Sequence, residues 1–514
     1  MTRRLIVAIL LFAMRIYFRR VEVVGLDHVP RKSPVIFVLN HPNALVDPAF
    51  LLCLAPRRVS FLAKSPLFRM PILGYFVRAL DCLPVYRQQD EGEDVSRNRE
   101  MFVAARGLLA RGGTIGICPE GVSHDEPSLR PIKTGAARIA LGAVSTVEAN
   151  GASLDSLAAS PAYAGGSDKT KGPCVGSPAA SPAYAGGSDK TKDPCVGSPA
   201  APPAYAGGSD KTKMPCVDLK IVPTGLYYTS KTKFRSAVLL YFGKPIEVSP
   251  VELEPDGNPP RGAVRDLSKK IECALREVIL DAEHEEALQT ISRAERIFSS
   301  ETDDGGSETL ADELQLQQRF IKAYSVLRER APERLRKLEV RMIRFEEELT
   351  QAGVDPEDLA PPTSTLDVFR HLITRVLLFL LLIVPATLGG LVHYPAYRLG
   401  GYLATRFSKN DEDVVSTVKI ISAMLLFPIT WLLAAAVGYK LQGWGLSLAM
   451  AAFLPLAGYL AIRFFEGFDS FLGGLRALVF FLMRRRFFVR LLAERKAIRN
   501  EILALGEETA ILSQ

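Results

Sequence analysis

The segment Val35-Ile36-Phe37-Val38-Leu39-Asn40-His41-Pro42-Asn43-Ala44-Leu45-Val46-Asp47 joins five apolar residues to a short polar loop. An uninterrupted apolar run of this length predicts a strand that is buried on both faces. His41 follows the end of that strand, and Asp47 lies six positions later. A carboxylate that fixes an imidazole in one tautomer lets the other ring nitrogen take a proton from a hydroxyl. The pair is therefore a candidate general base, although a lone histidine here is more often a capping or core residue.

Other β-rich runs lie on both sides of this segment and alternate with helical patterns. One helical pattern covers 97–109, and the strand-like runs are 21–24, 59–62, 114–117, 217–222 and 237–242. The alternation predicts an α/β layer fold with a partly buried sheet, and the family resemblance described below implies that this central sheet is mixed.

A second block of interest predicts a short strand that ends in a cation. It reads Asp81-Cys82-Leu83-Pro84-Val85-Tyr86-Arg87 and is preceded by Lys64, Gly74 and Arg78. Cations beside apolar strands can clamp a phosphate, and arginine does so with two parallel hydrogen bonds. Taken singly, each of these cations has the composition of an ordinary surface charge.

Two further blocks follow along the chain. Ile117-Cys118-Pro119-Glu120-Gly121 displays a carboxylate between proline and glycine, although the same two residues favour a plain tight turn. Lys133 begins a predicted helix, where backbone N–H groups favour anions. The fourth block, Ile221-Val222-Pro223-Thr224-Gly225, predicts a buried strand and by itself indicates little more.

Together the four blocks resemble the glycerolipid acyltransferase family of the PlsC type, which includes glycerol-3-phosphate and 1-acylglycerol-3-phosphate acyltransferases. The resemblance covers 20–145 and 217–247 and implies an acyltransferase-type α/β domain. It implies that His41 is the general base and that Asp47 orients it. For substrate binding it implies the matched residues Asn40, Arg87, Glu120 and Gly121, with Lys64, Gly74, Arg78 and Lys133 as candidates beside the blocks.

This sequence departs from the family pattern at three places. Five residues separate His41 from Asp47 where four are usual, and a helix turns by about 100° per residue, so their contact is not assured by spacing alone. Asp81 replaces the glycine that usually leads the second block. Cys118 replaces a phenylalanine, and we expect it to keep an apolar contact away from the chemistry.

The resemblance implies direct transfer of a fatty acyl group to glycerol 3-phosphate or its 1-acyl form, in phospholipid biosynthesis. The co-substrate would be acyl-CoA or acyl carrier protein, and no bound cofactor or metal is implied, because the thioester carries the activation. Dihydroxyacetone phosphate, a lysophospholipid or an aminolipid is an alternative acceptor. A different class is a catalytically silent membrane scaffold whose helical arm at 310–350 binds a partner. A serine hydrolase ranks last, since the sequence contains no Gly-x-Ser-x-Gly motif.

Charge and cysteine content restrict the class of protein. The excess of 63 Lys and Arg over 56 Asp and Glu is too small to suggest a nucleic-acid partner. Arginines beside apolar runs, such as Arg3, Arg4 and the 484–486 cluster, favour contact with anionic lipid head groups. The seven cysteines form no CxxC pair, so zinc is not indicated and reduced cytosolic thiols are expected.

Long apolar runs predict an integral membrane protein whose catalytic domain faces the cytoplasm. The runs 376–397, 420–438 and 444–462 are long enough to cross hydrocarbon, whereas 5–14 and 472–483 are shorter and predict interfacial helices. We therefore divide the chain into an interfacial helix at 1–20, an acyltransferase domain at 21–260, a charged helical region at 261–365 and a membrane region at 366–514 with two or three spans and a basic tail.

A 21-residue repeat interrupts the predicted acyltransferase domain. Its copies begin at Pro161, Pro182 and Pro203 and are rich in Gly, Ser, Ala and Pro. Such a composition cannot bury a core, so we expect a disordered insertion at 150–216.

Overall fold

The N-terminal half of the chain folds around one eight-stranded sheet of mixed direction. The computed structural model describes residues 2–90, 92–145, 218–282, 285–298, 309–353, 365–408 and 411–512. The predicted α/β fold with a mixed sheet is confirmed. The strands are β1 (Arg20–Val24), β2 (Val35–Leu39), β3 (Ser60–Lys64), β4 (Leu83–Val85), β5 (Thr114–Ile117), β6 (Lys220–Tyr228), β7 (Ala237–Phe242) and β8 (Ile246–Glu247).

Strand β2 lies in the middle of the sheet, between β5 and β6, and runs parallel to both. The sheet order is β1-β7-β6-β2-β5-β3-β4, with β8 on the side of β6. β7 is antiparallel to β6 and parallel to β1. Because β2 and β5 are parallel, the loops that follow them leave from the same edge, which brings the first and third motif blocks together.

Helices cover both faces of the sheet. Alternate residues of β2 enter different cores: Val35, Phe37 and Leu39 pack on one face, and Ile36 and Val38 on the other. This alternation follows from the two-residue period of a strand and explains why all five positions are buried. The covering helices are α1 (Thr2–Tyr17), α2 (Val46–Leu54), α3 (Pro66–Arg69), α4 (Pro71–Ala79), α5 (Asn98–Ala110), α6 (Gly135–Val144) and α7 (Arg261–Val278).

A bundle of charged helices contains the segment 310–350, which the scaffold alternative treated as a helical arm. Four helices share one apolar core: α8 (Glu285–Phe298), α9 (Leu310–Arg330), α10 (Pro332–Ala352) and α14 (Arg485–Leu512). The apolar residues of α10 recur at helical spacing and are buried, while its charges lie outside that stripe. Arg341 on α10 pairs with Glu494 and Glu501 on α14. One face of this helix is therefore packed within the bundle and is not open to solvent.

Three helices among the described residues are long and apolar enough to cross a membrane. They are α11 (Thr365–Ser408), α12 (Glu412–Gln442) and α13 (Trp444–Met483). The stretch 472–483 is not a separate interfacial helix, because α13 continues through it without a break. The helices approach closely: a Cβ on Gly389 would lie 2.2 Å from the carbonyl oxygen of Ala457.

A small polar cluster around His393 links helices α11 and α12. Nδ1 of His393 donates to the carbonyl of Gly389 at 2.7 Å, and the indole of Trp431 donates to Nε2 of the same ring at 2.7 Å. Both ring nitrogens are thus satisfied, which makes His393 a structural residue of the helix contact. The predicted repeat insertion at 150–216 and the proline-containing linker near 356–362 lie outside the described residues.

Candidate active site

His41 and Asp47 meet at the carboxyl edge of the sheet. Nδ1 of His41 lies 2.9 Å from Oδ2 of Asp47, whose side chain is fully buried. The ring of His41 remains partly exposed, with 18% of its side-chain surface accessible. With Nδ1–H directed at the carboxylate, the other ring nitrogen is the one that can accept a proton from a substrate hydroxyl.

The loop between the two residues accommodates the longer spacing. Helix α2 begins only at Val46, so the residues from 40 to 45 are not bound by the 100° turn of a helix. Ala44 takes a φ of 26°, a backbone strain that turns the chain back towards the ring. The backbone N–H of Asn43 donates to Oδ2 of Asp47 at 2.6 Å. The contact predicted from the motif is therefore made in the structure.

Tyr228, on β6, contacts the His41–Asp47 pair and was not among the residues predicted from the sequence. Its hydroxyl donates to Oδ1 of Asp47 at 2.6 Å across 181 positions of sequence. Burial, followed by the nearby Asp47 carboxylate, raises the pKa of Tyr228 well above its usual range, so the hydroxyl stays a donor. The only available signal was a tyrosine shortly after the fourth block, which an ordinary core residue would also give.

Asn40 bridges two strands of the sheet. Its side-chain amide donates to the carbonyl of Leu226 at 3.0 Å and accepts from the backbone N–H of Leu226 at 2.8 Å. This pair extends the β2–β6 ladder beyond the last residue of β2 and fixes where the His41 loop begins. Substrate binding by Asn40 stays a prediction, since its polar atoms are engaged within the protein.

The carboxylate of Glu120 faces the His41 loop rather than open solvent. Its side chain is only 1% exposed. Oε1 accepts from the backbone N–H of His41 at 3.1 Å, and Oε2 accepts from the backbone N–H of Arg130 at 3.0 Å and from the ring of His124. The backbone N–H of His124 in turn donates to the carbonyl of His41 at 3.2 Å. Glu120 thus holds the backbone of His41, and its contact with the acceptor stays a prediction.

Four of the predicted binding residues lie near one another beside this loop. Arg87 donates two hydrogen bonds to the carboxylate of Asp90, from Nε at 2.8 Å and from Nη2 at 2.7 Å. Its Nη1 also donates to the carbonyl of Gly121 at 2.9 Å. The hydrogen bond from Arg87, reinforced by the charge of Lys64, lowers the pKa of Asp90. A Cβ on Gly121, which has a φ of 77°, would lie 2.5 Å from Nζ of Lys133. Three cations therefore gather around Gly121 and Asp90.

Gly74 and Arg78 have a structural explanation instead. The main-chain carbonyl of Phe68 lies 2.5 Å from where a Cβ of Gly74 would be, and the same carbonyl accepts from Nη1 of Arg78 at 2.6 Å. Both residues therefore hold the corner between α3 and α4, and no described contact links them to His41. Asp81, which replaces the usual glycine, has a φ of 58°, a conformation that aspartate tolerates better than most residues.

Cys118 keeps the expected apolar contact with one core of the sheet, but it also lies beside His41. The Cys118 thiol interacts electrostatically with the ring of His41. This follows from the parallel pairing of β2 with β5, which places Ile117 opposite Val38 and so carries Cys118 towards the strand end where His41 follows. Burial raises the pKa of the Cys118 thiol. Burial opposes the imidazolium form of His41, but the contacts with Cys118 and Asp47 outweigh it and raise the pKa of His41 well above its usual range.

The strand-end pair of His41 and Asp47, set on a mixed sheet beside a group of cations, has the arrangement that the motif resemblance implies. In agreement with this, residues 20–151 match the family model described as Acyltransferase. Residues 291–510 match the family described as Glycerol-3-phosphate acyltransferase 2 C-terminal domain. The resemblance drawn from the four motif blocks is confirmed: the chain carries an acyltransferase domain, followed by this C-terminal domain.

Relatives with curated names agree with these matches. The chain is 24% identical over 348 residues to glycerol-3-phosphate O-acyltransferase 2 of Saccharomyces cerevisiae, covering 65% of this chain and 37% of that protein. It is 28% identical over 122 residues to 1-acyl-sn-glycerol-3-phosphate acyltransferase of Borreliella burgdorferi, covering 24% of this chain and 46% of that protein. The chain therefore spans less than half the length of each of these relatives.

Among solved structures, the 1-acyl-sn-glycerophosphate acyltransferase PlsC of Thermotoga maritima aligns with a TM-score of 0.30 and 14% identity. That alignment covers 54% of this chain and 79% of that chain.

Proposed function

We propose that this protein is an O-acyltransferase that moves a fatty acyl group from a thioester to the free hydroxyl of a glycerol phosphate. The observation that carries the proposal is the contact of 2.9 Å between His41 and the buried carboxylate of Asp47. An imidazole held in this way is a general base that needs no metal ion. The names of the curated relatives, which include glycerol-3-phosphate O-acyltransferases, supply the acceptor class.

In the proposed reaction His41 takes the proton from the acceptor hydroxyl while that oxygen attacks the thioester carbonyl. Asp47 stabilises the imidazolium that forms, and Tyr228 keeps the carboxylate in place. The tetrahedral intermediate collapses by breaking the carbon–sulfur bond, and the imidazolium returns the proton to the leaving thiolate. An ester and a free thiol are the products, so atoms and charges balance without a cofactor.

The cations beside the loop are the proposed site for the acceptor phosphate. Lys64 and Lys133 have no side-chain hydrogen bond or ion pair within the part of the chain that the structure describes, and Arg87 adds a third positive charge. Phosphate is recognised by such clusters because several cations share its two negative charges. Gly121 fits this arrangement, since any larger residue would displace the ammonium group of Lys133.

The membrane supplies the surface on which the proposed reaction takes place. Three apolar helices fit membrane association, and we propose that the catalytic domain faces the cytoplasm, where acyl-CoA or acyl carrier protein is available. Helix α1 has exposed apolar residues, among them Leu5 and Phe12, which suit an interfacial helix. The domain division given above, with a separable insertion at 150–216, is part of the same proposal.

An acceptor and donor panel tests this proposal. Full-length protein in lipid nanodiscs is given labelled acyl-CoA or acyl carrier protein with glycerol 3-phosphate, its 1-acyl form, dihydroxyacetone phosphate, a lysophospholipid or no acceptor. Label in a glycerol phosphate supports the proposal and identifies the preferred acceptor. Label only in dihydroxyacetone phosphate or a lysophospholipid keeps the chemistry but replaces the acceptor. Release of free fatty acid alone would indicate a hydrolase, and no turnover of any donor would leave the scaffold alternative.

A further inference from the structure

The N-terminal turns of apolar helix α12 touch the loop that carries the general base. Oγ1 of Thr417 accepts from the backbone N–H of Leu45 at 3.3 Å, although the two residues are 372 positions apart. Leu45 lies between His41 and Asp47 and immediately precedes helix α2. The bond therefore anchors the loop at the point between the base and the carboxylate that orients it.

Neighbouring residues on the same face of α12 attach it to the catalytic domain. The hydroxyl of Ser416 donates to the carbonyl of Lys231 and lies 3.2 Å from the hydroxyl of Tyr17. Nζ of Lys419 donates to the carbonyl of Thr232 at 2.7 Å. These contacts reach both helix α1 and the loop between β6 and β7. A helix that only anchored the chain in a bilayer would not need such directed polar contacts.

Apolar packing continues the same contact towards the membrane. Ile420 is part of the core that contains Phe50 of helix α2, and Met424 packs against that core. The buried residues in these turns of α12 recur at helical spacing and therefore share one face: Asp413, Ser416, Thr417 and Ile420. A second link joins Arg235, at the start of β7, to Glu466 of α13, with a contact of 3.2 Å between Nη2 and Oε2. The catalytic loop and the apolar helices thus form one packed unit.

We infer that the first two turns of α12 complete the active site and that Thr417 is a positioning residue for the His41–Asp47 loop. The inference rests on the proposed function, because its kinetic consequence requires acyl transfer. The strained φ of 26° at Ala44 is the reason that an external anchor matters. A backbone conformation of this kind persists only where surrounding contacts hold it. Membrane insertion of α12 and alignment of the general base are then coupled.

Hydrogen exchange and kinetics on one set of variants test the inference. Thr417→Val removes the acceptor oxygen, Thr417→Ser retains it, and Thr430→Val is the matched control. Thr430 lies on the same helix, and its hydroxyl bonds only the carbonyl of Leu426 one turn earlier, at 2.8 Å. All proteins are full length and are held in the same lipid nanodiscs.

Thr417→Val is expected to speed amide exchange in the peptide 43–50 by roughly fivefold, which corresponds to the loss of one ordinary hydrogen bond. It should lower kcat with little change in KM, while Thr417→Ser and Thr430→Val remain at wild-type values. Wild-type exchange in Thr417→Val, or faster exchange with unchanged kcat, would overturn the inference. The exchange measurement does not depend on activity, so absence of acyl transfer by the wild type would defeat the proposed function separately.

Discussion

The hydroxyl of Tyr228 lies 2.6 Å from Oδ1 of Asp47, while the other oxygen of that carboxylate accepts from His41. The Asp47 carboxylate is therefore held from two sides, by Tyr228 on one oxygen and by His41 on the other. This gives a chain of three side chains from the interior of the sheet to the substrate face. The position of the imidazole is thus fixed by β6 as well as by its own loop.

Tyr228→Phe should reduce kcat without preventing folding. The ring keeps its packing against Phe18 and Phe50, and only the hydroxyl is lost. A hydrogen bond to a charged group is worth about 1.5–3 kcal/mol, so we expect a fall in kcat of roughly tenfold or more. Steady-state kinetics with saturating acceptor measures it. An unchanged kcat in a correctly folded variant would show that Tyr228 does not support the general base.

Asp47→Asn should slow the reaction and move its pH dependence. The pKa of His41 is raised, and a base acts only when neutral, so kcat/KM of the wild type should rise with pH through a value above the usual one of about 6.5. Loss of the Asp47 charge lowers the pKa of His41 and moves this acid limb to lower pH. The rate at the plateau should fall by about 10²–10⁴ because the tautomer is no longer fixed. An acid limb that does not move would contradict the assigned partner.

The raised pKa of His41 should also make the stability of the fold depend on pH. A folded-state pKa raised above the unfolded value stabilises the fold fully below the unfolded pKa, and the contribution is lost as pH rises through the folded pKa. Asp47→Asn should therefore cost most stability at acidic pH, where His41 is charged. Thermal unfolding of both proteins across a pH series measures this, and equal losses at all pH values would count against the ion pair.

Lys133→Ala should weaken acceptor binding selectively. Removing one of three cations around the proposed phosphate site should raise KM for glycerol 3-phosphate by about tenfold and leave KM for the acyl donor unchanged. Gly121→Ala should act in the same direction, since its Cβ would lie 2.5 Å from Nζ of Lys133. Lys270→Ala, on the exposed face of α7, is the matched control. Equal effects of Lys133→Ala and Lys270→Ala would remove Lys133 from the site.

Much of the fold and part of the site can be predicted from the sequence because the information is local. The alternating cores around β2 and the strand-end position of His41 follow from a five-residue apolar run and the polar loop after it. Tyr228 and Thr417 could not be predicted, because they reach the loop from 181 and 372 positions away. Glu120 was recognised as a motif residue, but only the packing of two parallel strands shows that its carboxylate holds the backbone of His41.

A half-buried pair of carboxyl groups, Glu295 and Glu313, should make the protein less stable as pH rises. Burial, and then the proximity of Glu313, raises the pKa of Glu295 to about 8, while Gln317 and Tyr227 bind the pair. Because the folded pKa is raised, the stabilisation is present below the unfolded pKa and is lost as pH rises through the folded value. Glu295→Gln should therefore raise Tm more at about pH 9 than at about pH 6. A Tm gain that does not depend on pH would refute the raised pKa of Glu295.

Gly389→Ala should loosen the apolar helices. The added Cβ would lie 2.2 Å from the carbonyl oxygen of Ala457, so α11 and α13 must separate. Overpacking of this kind costs about 1–3 kcal/mol. Gly401→Ala, on the same helix with nothing within 4 Å of the new Cβ, is the matched control. Thermal unfolding in nanodiscs should distinguish the two, and equal Tm values would contradict the close approach of these helices.

The most direct test of the central claim is the rate of acyl transfer to glycerol 3-phosphate by purified His41→Ala in nanodiscs. His28→Gln is the control, because His28 is a second histidine of the same domain that bonds the carbonyl of Phe242 outside the site. The account predicts measurable transfer by the wild type and by His28→Gln, and a loss of at least about 10²-fold in His41→Ala with its fold intact. Transfer by His41→Ala at the wild-type rate would contradict the assignment of His41 as the general base.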